Sequence, residues 1–187
     1  MSDNNQDSSF IPLTGNRYER LKVYKIANCI YAITYFFANK FFVKGDRTID
    51  QMIQAARSGK QNIAEGSVDG DTSKEMQIKL LNTARGSIHE LKADYEDYLL
   101  TRGLEHWSAT DPRSLQTKKY CLKHSDAKDY QEAILTRSDE TIANIALTLI
   151  HQYFPMIEGL IERKKKEFIE NGGIKEEMSS ARRARGY

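Results

Sequence analysis

Six positions, Leu81, Ala84, Ile88, Leu91, Tyr95 and Tyr98, follow one another at steps of three, four, three, four and three. A strand alternates its faces at every residue, whereas an α-helix returns to one face about every 3.6, so this spacing predicts a helix over about 73–102 with one side to bury. Three further segments carry the same signal. Val23, Ile26, Ile30, Ile33 and Phe37 predict a helix over about 18–42, Ile49, Met52, Ile53, Ala56 and Ile63 one over about 47–65, and Ile142, Ile145, Leu149, Tyr153, Met156 and Leu160 one over about 139–171. Pro155 is expected to kink the last of these by removing a backbone donor. Four amphipathic stripes hide best against one another. The fold class expected is all-α: an up-and-down antiparallel four-helix bundle with a helical insertion before the last long helix and a C-terminal extension.

The boundaries follow from breakers and caps. Residues 1–16 are polar and interrupted by Pro12 and Gly15, so they read as a flexible segment ahead of a bundle spanning 17–171. Gly45 and Asp46 separate the first two helices, and Thr72 with Glu75 has the spacing of a capping box for the third. Short connecting helices are expected within 111–137, the first opened by Asp111 and Pro112 and the second from Asp126. Gly172 and Gly173 stop the last helix, leaving 172–187 as a basic suffix with Arg182, Arg183 and Arg185.

The stretch Gln51–Gly66 breaks local rules. Gly59 stands inside a helix, where it costs roughly 1 kcal/mol against Ala, and is best explained by a close approach to the small residues Ala84, Gly86 and Ser87 of the third helix. Asn62 and Glu65 occupy the last turn, with Gly66 where a left-handed C-cap is wanted. A carboxylate at that end meets the negative pole of the helix dipole, so Glu65 is expected to be at least half-buried with a partner, such as Arg85 or the donors near Thr72. Asn62, Glu65 and Gly66 are read as a structural motif.

This stretch carries a resemblance. RSGKQNIAEGS, followed by LLNTARGSIHELKADYEDYLLTRGLEHW, resembles the bacterial four helix bundle proteins, a family that includes proteins encoded in intervening sequences of large-subunit ribosomal RNA. The terminal FIENGGIKEEMSSARRAR is similar to the suffix of one subgroup, and Asn-Ile-Ala-Glu-Gly at Asn62–Gly66 is the most specific piece. The resemblance, running from about Tyr18 to Arg185, implies a ring-like homopentamer without catalysis. Its relatives, the accessory variability determinants of diversity-generating retroelements, present a basic surface to nucleic acid and to a reverse transcriptase.

Charge and aromatic placement bear on partners. The net charge of +2 says little, but residues 17–44 hold Arg17, Arg20, Lys22, Lys25, Lys40 and Lys44 against the single acid Glu19. Arg17, Arg20, Lys22 and Lys25, with Arg57 and Lys60, are the candidate nucleic-acid-binding residues; a solvated face is the plainer alternative. Tyr24, Tyr31 and Tyr35 form a second stripe, with Asn28, beside the first helix's seam. They either rim the core or build an oligomer interface, where Tyr is enriched. Trp107 is expected to seal an end of the bundle, or to act as a stacking platform for a nucleobase.

Catalysis finds no support in the pattern. Bundle metal sites use Glu-x-x-His pairs, and the residues three before His89, His106, His124 and His151 are Gly86, Gly103, Cys121 and Thr148. No phosphate-binding glycine loop, zinc spacing or nucleophile elbow is present, so the expectation is no enzyme, no cofactor and no metal. Cys29 and Cys121 have no ligand spacing and read as thiols in a reducing compartment. MSDNNQDSSF has no signal-peptide pattern, and Cys29–Val43 is too short and polar for a membrane span, so the protein is expected in the cytoplasm without a membrane partner. Two readings stay open. One is a homo-oligomer that binds RNA or DNA backbones as an accessory factor; the other is a homo-oligomeric scaffold that displays Lys175–Tyr187 to a protein partner and has no nucleic-acid role.

Overall fold

The computed structural model describes residues 17–68 and 73–171; the expected N-terminal segment, Thr72 and the suffix from Gly172 lie outside them. The described chain is all-helical, with no strand among these residues. A 3-10 turn, Arg17–Arg20, leads into α1 (Lys22–Phe41), followed by α2 (Arg47–Gly66), α3 (Lys74–Thr101) and α4 (Pro112–Lys123). A second 3-10 turn, Ala127–Tyr130, precedes the short α5 (Gln131–Thr136) and the long α6 (Asp139–Asn171).

Local chemistry sets the starts. Gly45 has φ +95°, which only glycine adopts cheaply, and this turn aims Asp46 at α2, where its side chain accepts from the Thr48 amide at 2.9 Å. The cap of α3 is Ser73 rather than Thr72: its hydroxyl accepts from the Met76 amide at 3.1 Å. Asp111 caps α4, accepting from the Arg113 amide at 2.7 Å with Pro112 at the first helical position. α6 runs as one helix of 33 residues through Pro155.

α1 packs against α2 and α6, and α3 packs against the same two helices. The seams read from spacing are buried: Val23, Ile26, Ile30, Ile33 and Phe37 on α1, and all six positions of α3. On α6, Ile145 and Met156 are only half-buried, while Ala146, Ile150 and Ile157 complete the inner face. That face is wider than a single seam because α6 meets α1 and α3 and also carries α4. Phe37 lies 5.0 Å from Tyr95 and 4.6 Å from Tyr98, joining α1 to α3 through the core. Tyr95 is fully buried and its hydroxyl donates to Thr34 at 2.9 Å, so the polar atom is not stranded. Tyr98 donates to Asp139 at 2.9 Å and ties the end of α3 to the start of α6.

Two glycines are explained by the α2–α3 contact. A Cβ on Gly59 would lie 2.5 Å from Ile88 Cδ1 and 2.7 Å from its Cγ1, so the close approach expected there is present. Gly66 departs from expectation. It is the buried last residue of α2 and not a left-handed cap; only Gly45 and Gly103 have positive φ among the described residues. A Cβ on Gly66 would meet the Gln77 carbonyl oxygen at 3.0 Å and Leu81 Cγ at 3.1 Å, so the requirement is for space. Gly86 also departs: it is exposed, and a Cβ there would meet nothing within 4 Å, because it points away from α2.

Candidate nucleic-acid interface

The basic candidates fall on the N-terminal turn, α1 and α2, elements that pack together. Arg17 opens the turn, Arg20 closes it, and Lys22 and Lys25 stand in the first turn of α1. Arg20, Lys22, Lys25 and Arg57 are exposed and make no ion pair among the described residues. α1 contains no acidic residue to screen Lys22 and Lys25, although Glu19 stands in the turn beside Arg20. Lys60 differs. It is half-buried, with Nζ donating to Asn28 Oδ1 at 3.3 Å and resting 4.3 Å over the Tyr31 ring. Loss of hydration, then the charge of Arg57, pulls its ammonium below the ordinary lysine value. Arg57 and Lys60 therefore share one electrostatic neighbourhood, with Asn28 of α1 anchoring Lys60.

The tyrosine stripe divides. Tyr24 is half-buried against Tyr18, ring centres 4.8 Å apart, and Tyr31 is half-buried under Lys60. Tyr35 is 54% exposed, so it is the member of the three most open to a second molecule.

The Asn62–Gly66 segment works within the chain. Asn62 Nδ2 donates to the Ser58 carbonyl at 2.9 Å and to Ser58 Oγ at 3.0 Å. Ser58 Oγ and Ser87 Oγ are 2.9 Å apart, so a polar chain runs from Asn62 across to α3 beside Gly59. Glu65 corrects its expectation. It is exposed and makes no ion pair with Arg85 or any other described residue, because it lies on the side of the last turn away from Ile63 and Gly66. Water and salt screen the unfavourable helix dipole there.

A feature that spacing did not reveal lies between α2 and α3. Asp50, Glu90 and Asp94 line a groove with Ser58 and Ser87. Burial, then the charges of Asp97 and Glu90, holds the Asp94 carboxyl above the ordinary aspartate value. The sequence signal was present in Glu90 and Asp94, four apart on α3, but their approach to Asp50 depends on the packing of two helices.

Trp107 is 9% exposed. Its amide donates to Asn144 Oδ1 at 2.9 Å, its indole Nε1 to Glu140 at 3.4 Å, and the Arg113 guanidinium covers its ring at 4.9 Å. An indole fixed in this way seals the α3–α4 connection against α6, with Arg113 over its ring. Cys29 and Cys121 are both buried and unbridged. Burial, reinforced by Asp126 and Asp129, pushes the Cys29 thiol up to about 12, and burial pushes Cys121 up to about 11. Among the described residues no group of three or more His, Cys, Asp or Glu could hold a metal ion.

Comparison with protein-family models, curated proteins and solved structures finds no match. A functional reading thus rests on the chain's own residues. Among the described residues, no helix is long and apolar enough to cross a membrane.

Proposed function

We propose that the protein is a non-enzymatic accessory factor whose α1, α2, α3 and α6 form an up-and-down antiparallel four-helix bundle, and which binds the backbone of RNA or DNA. The observation that carries the binding reading is the separation of charge. Arg20, Lys22, Lys25 and Arg57 are exposed and unpaired on the turn, α1 and α2, whereas Asp50, Glu90 and Asp94 collect in the groove between α2 and α3. Segregated cations raise the local concentration of polyanions, which interspersed ion pairs do not. The pairwise packing of α1 and α3 onto α2 and α6, with Tyr98 joined to Asp139, supports the bundle order.

Self-association belongs to the same reading. Copies in a homo-oligomer, a pentamer in the family that Asn62–Gly66 resembles, would repeat the basic face and add weak phosphate contacts through multivalency. Tyr35, more than half exposed, supports an interface on α1. The buried thiols of Cys29 and Cys121 fit a reducing cytoplasm.

The test is binding of labelled single-stranded RNA and duplex DNA to the wild type and to a variant carrying Arg20→Gln, Lys22→Gln, Lys25→Gln and Arg57→Gln. Binding by the wild type and its loss in the variant, with an unchanged melting temperature, supports the reading. Equal binding by the two proteins removes it. Tyr35→Ala is expected to lower the mass in solution, and an unchanged mass would exclude Tyr35 from the interface.

A further inference from the structure

On the opposite flank, α4 lies over α6 and leaves a cavity of about 480 Å³ beside Trp107. Its size falls within the range of small-molecule sites, roughly 300–1,000 Å³. Its lining includes His106, Ser114, Lys118 and His151, and no carboxylate. None of these four side chains has a hydrogen-bond partner or ion pair among the described residues; His106, Lys118 and His151 are exposed and Ser114 half-buried, so they stand hydrated around the cavity, free to exchange water for a ligand. By contrast, Arg113 close by is engaged by Glu105, Asp111 and Glu140, which shows how this region treats a cation that it intends to neutralise. Trp107 and Leu147 supply an apolar wall. Gln152 lies below, 7% exposed, donating only a long 3.3 Å bond to the Lys118 carbonyl.

We propose that this cavity binds a small phosphomonoester, its phosphate held by Lys118, His106, His151 and Ser114 and its organic part against Trp107 and Leu147. A phosphate dianion suits two imidazoles, an ammonium and a hydroxyl because each bond is assisted by charge or by the free lone pairs of the oxyanion. The surroundings of His151 agree. Although His151 is exposed overall, loss of hydration on the packed side of its ring, then Lys92 of α3 and His106 of the α3–α4 connection, pulls its imidazole below the ordinary histidine value; Glu96 of α3 opposes this but is itself bonded to Lys92 at 2.6 Å. Lys118 of α4 lines the same cavity. An arriving anion relieves this crowding of positive charge and favours protonated His151. At about pH 8, where the ester is still a dianion, binding therefore takes up a proton at His151; nearer about pH 6 the ester's own second protonation opposes further gain.

The experiment is isothermal titration of the full chain with inorganic phosphate, ribose 5-phosphate, adenosine 5′-monophosphate and neutral ribose, at about pH 6 and about pH 8 in buffers of different ionisation enthalpy. The expected result is saturable binding of at least one ester, tighter than inorganic phosphate, with proton uptake at about pH 8 and no binding of ribose. His151→Ala and Lys118→Gln are each expected to weaken it about 10-fold, the loss of one charge-assisted bond, and Lys79→Gln, at an exposed position of α3 outside the cavity, to leave it unchanged. The two variants are on different helices, so a folding defect in one, read from its melting curve, leaves the other to decide. Absence of saturable ester binding, binding of inorganic phosphate alone, or ester binding that well-folded His151→Ala or Lys118→Gln leaves intact overturns the proposal. The α1–α2 face plays no part in these arms, so the outcome is separate from that of nucleic-acid binding.

Discussion

Ile88 occupies the space that a side chain on Gly59 would need: a Cβ there would lie 2.5 Å from Ile88 Cδ1. Gly59→Ala gains roughly 1 kcal/mol of helix propensity but overpacks a closed contact, a cost of about 1–3 kcal/mol. Net destabilisation of about 1 kcal/mol is expected in chemical denaturation. Ile88→Ala alone should cost about 2–5 kcal/mol, and the double variant should be less destabilised than the sum of the singles. Simple additivity would show that the two positions do not compete for the space.

Gly66 and Gly86 are predicted to respond in opposite directions to alanine. At Gly66 the obstacle is backbone, the Gln77 carbonyl oxygen at 3.0 Å, so Gly66→Ala should lower stability by about 1–3 kcal/mol. At Gly86 a Cβ meets nothing within 4 Å, so Gly86→Ala should raise it by about 0.5–1 kcal/mol. Thermal melts of the two variants check the pair.

These glycines also show where sequence reading stopped. The core faces were legible because burial imposes a period on the chain, and Ile26, Ile30, Leu91 and Tyr95 all obey it. Gly66 is needed where it stands, but for space and not for a left-handed cap. A left-handed cap is a local property that sequence can suggest, whereas the crowding by Gln77 and Leu81 exists only once α3 is laid across α2. Glu65 departs from expectation likewise, since a rule about helix ends says nothing of which side of the last turn meets water. The basic residues could be named from composition, but their separation from Asp50, Glu90 and Asp94 could not. Spacing along the chain gives neither His106 nor His151 a partner, with Gly103 and Thr148 three residues before them. Only the seating of α4 on α6 brings them to one cavity.

Asp94 is predicted to make stability depend on pH. Its carboxyl is held above the ordinary value by burial, Asp97 and Glu90, so the folded state binds that proton more tightly than the unfolded state. Its unfavourable contribution is absent below the unfolded carboxylate value and grows as pH rises through the raised folded one. Asp94→Asn should therefore stabilise at neutral pH by about 0.2–0.5 kcal/mol, the scale of a solvent-screened like-charge pair on a helix, and give no gain in acid. Melting temperatures across the acidic range test this, and a gain that persists at low pH would point to another cause.

The two thiols are predicted to be inert in the folded protein. With Cys29 raised to about 12 and Cys121 to about 11, both buried, neither forms appreciable thiolate at pH 8. Alkylation followed by mass spectrometry should modify neither in native buffer and both in denaturant. Fast native labelling of Cys121 would mean that α4 lifts readily from α6.

Nucleic-acid binding through the α1–α2 face is tested most directly by its salt dependence. The affinity for single-stranded RNA is expected to fall linearly on logarithmic axes as salt rises. The slope should shrink by about 0.7 for each phosphate-contacting cation removed among Arg20, Lys22, Lys25 and Arg57, or about 0.9 on duplex DNA. An affinity indifferent to salt, or a slope unchanged when all four are neutralised, would contradict it.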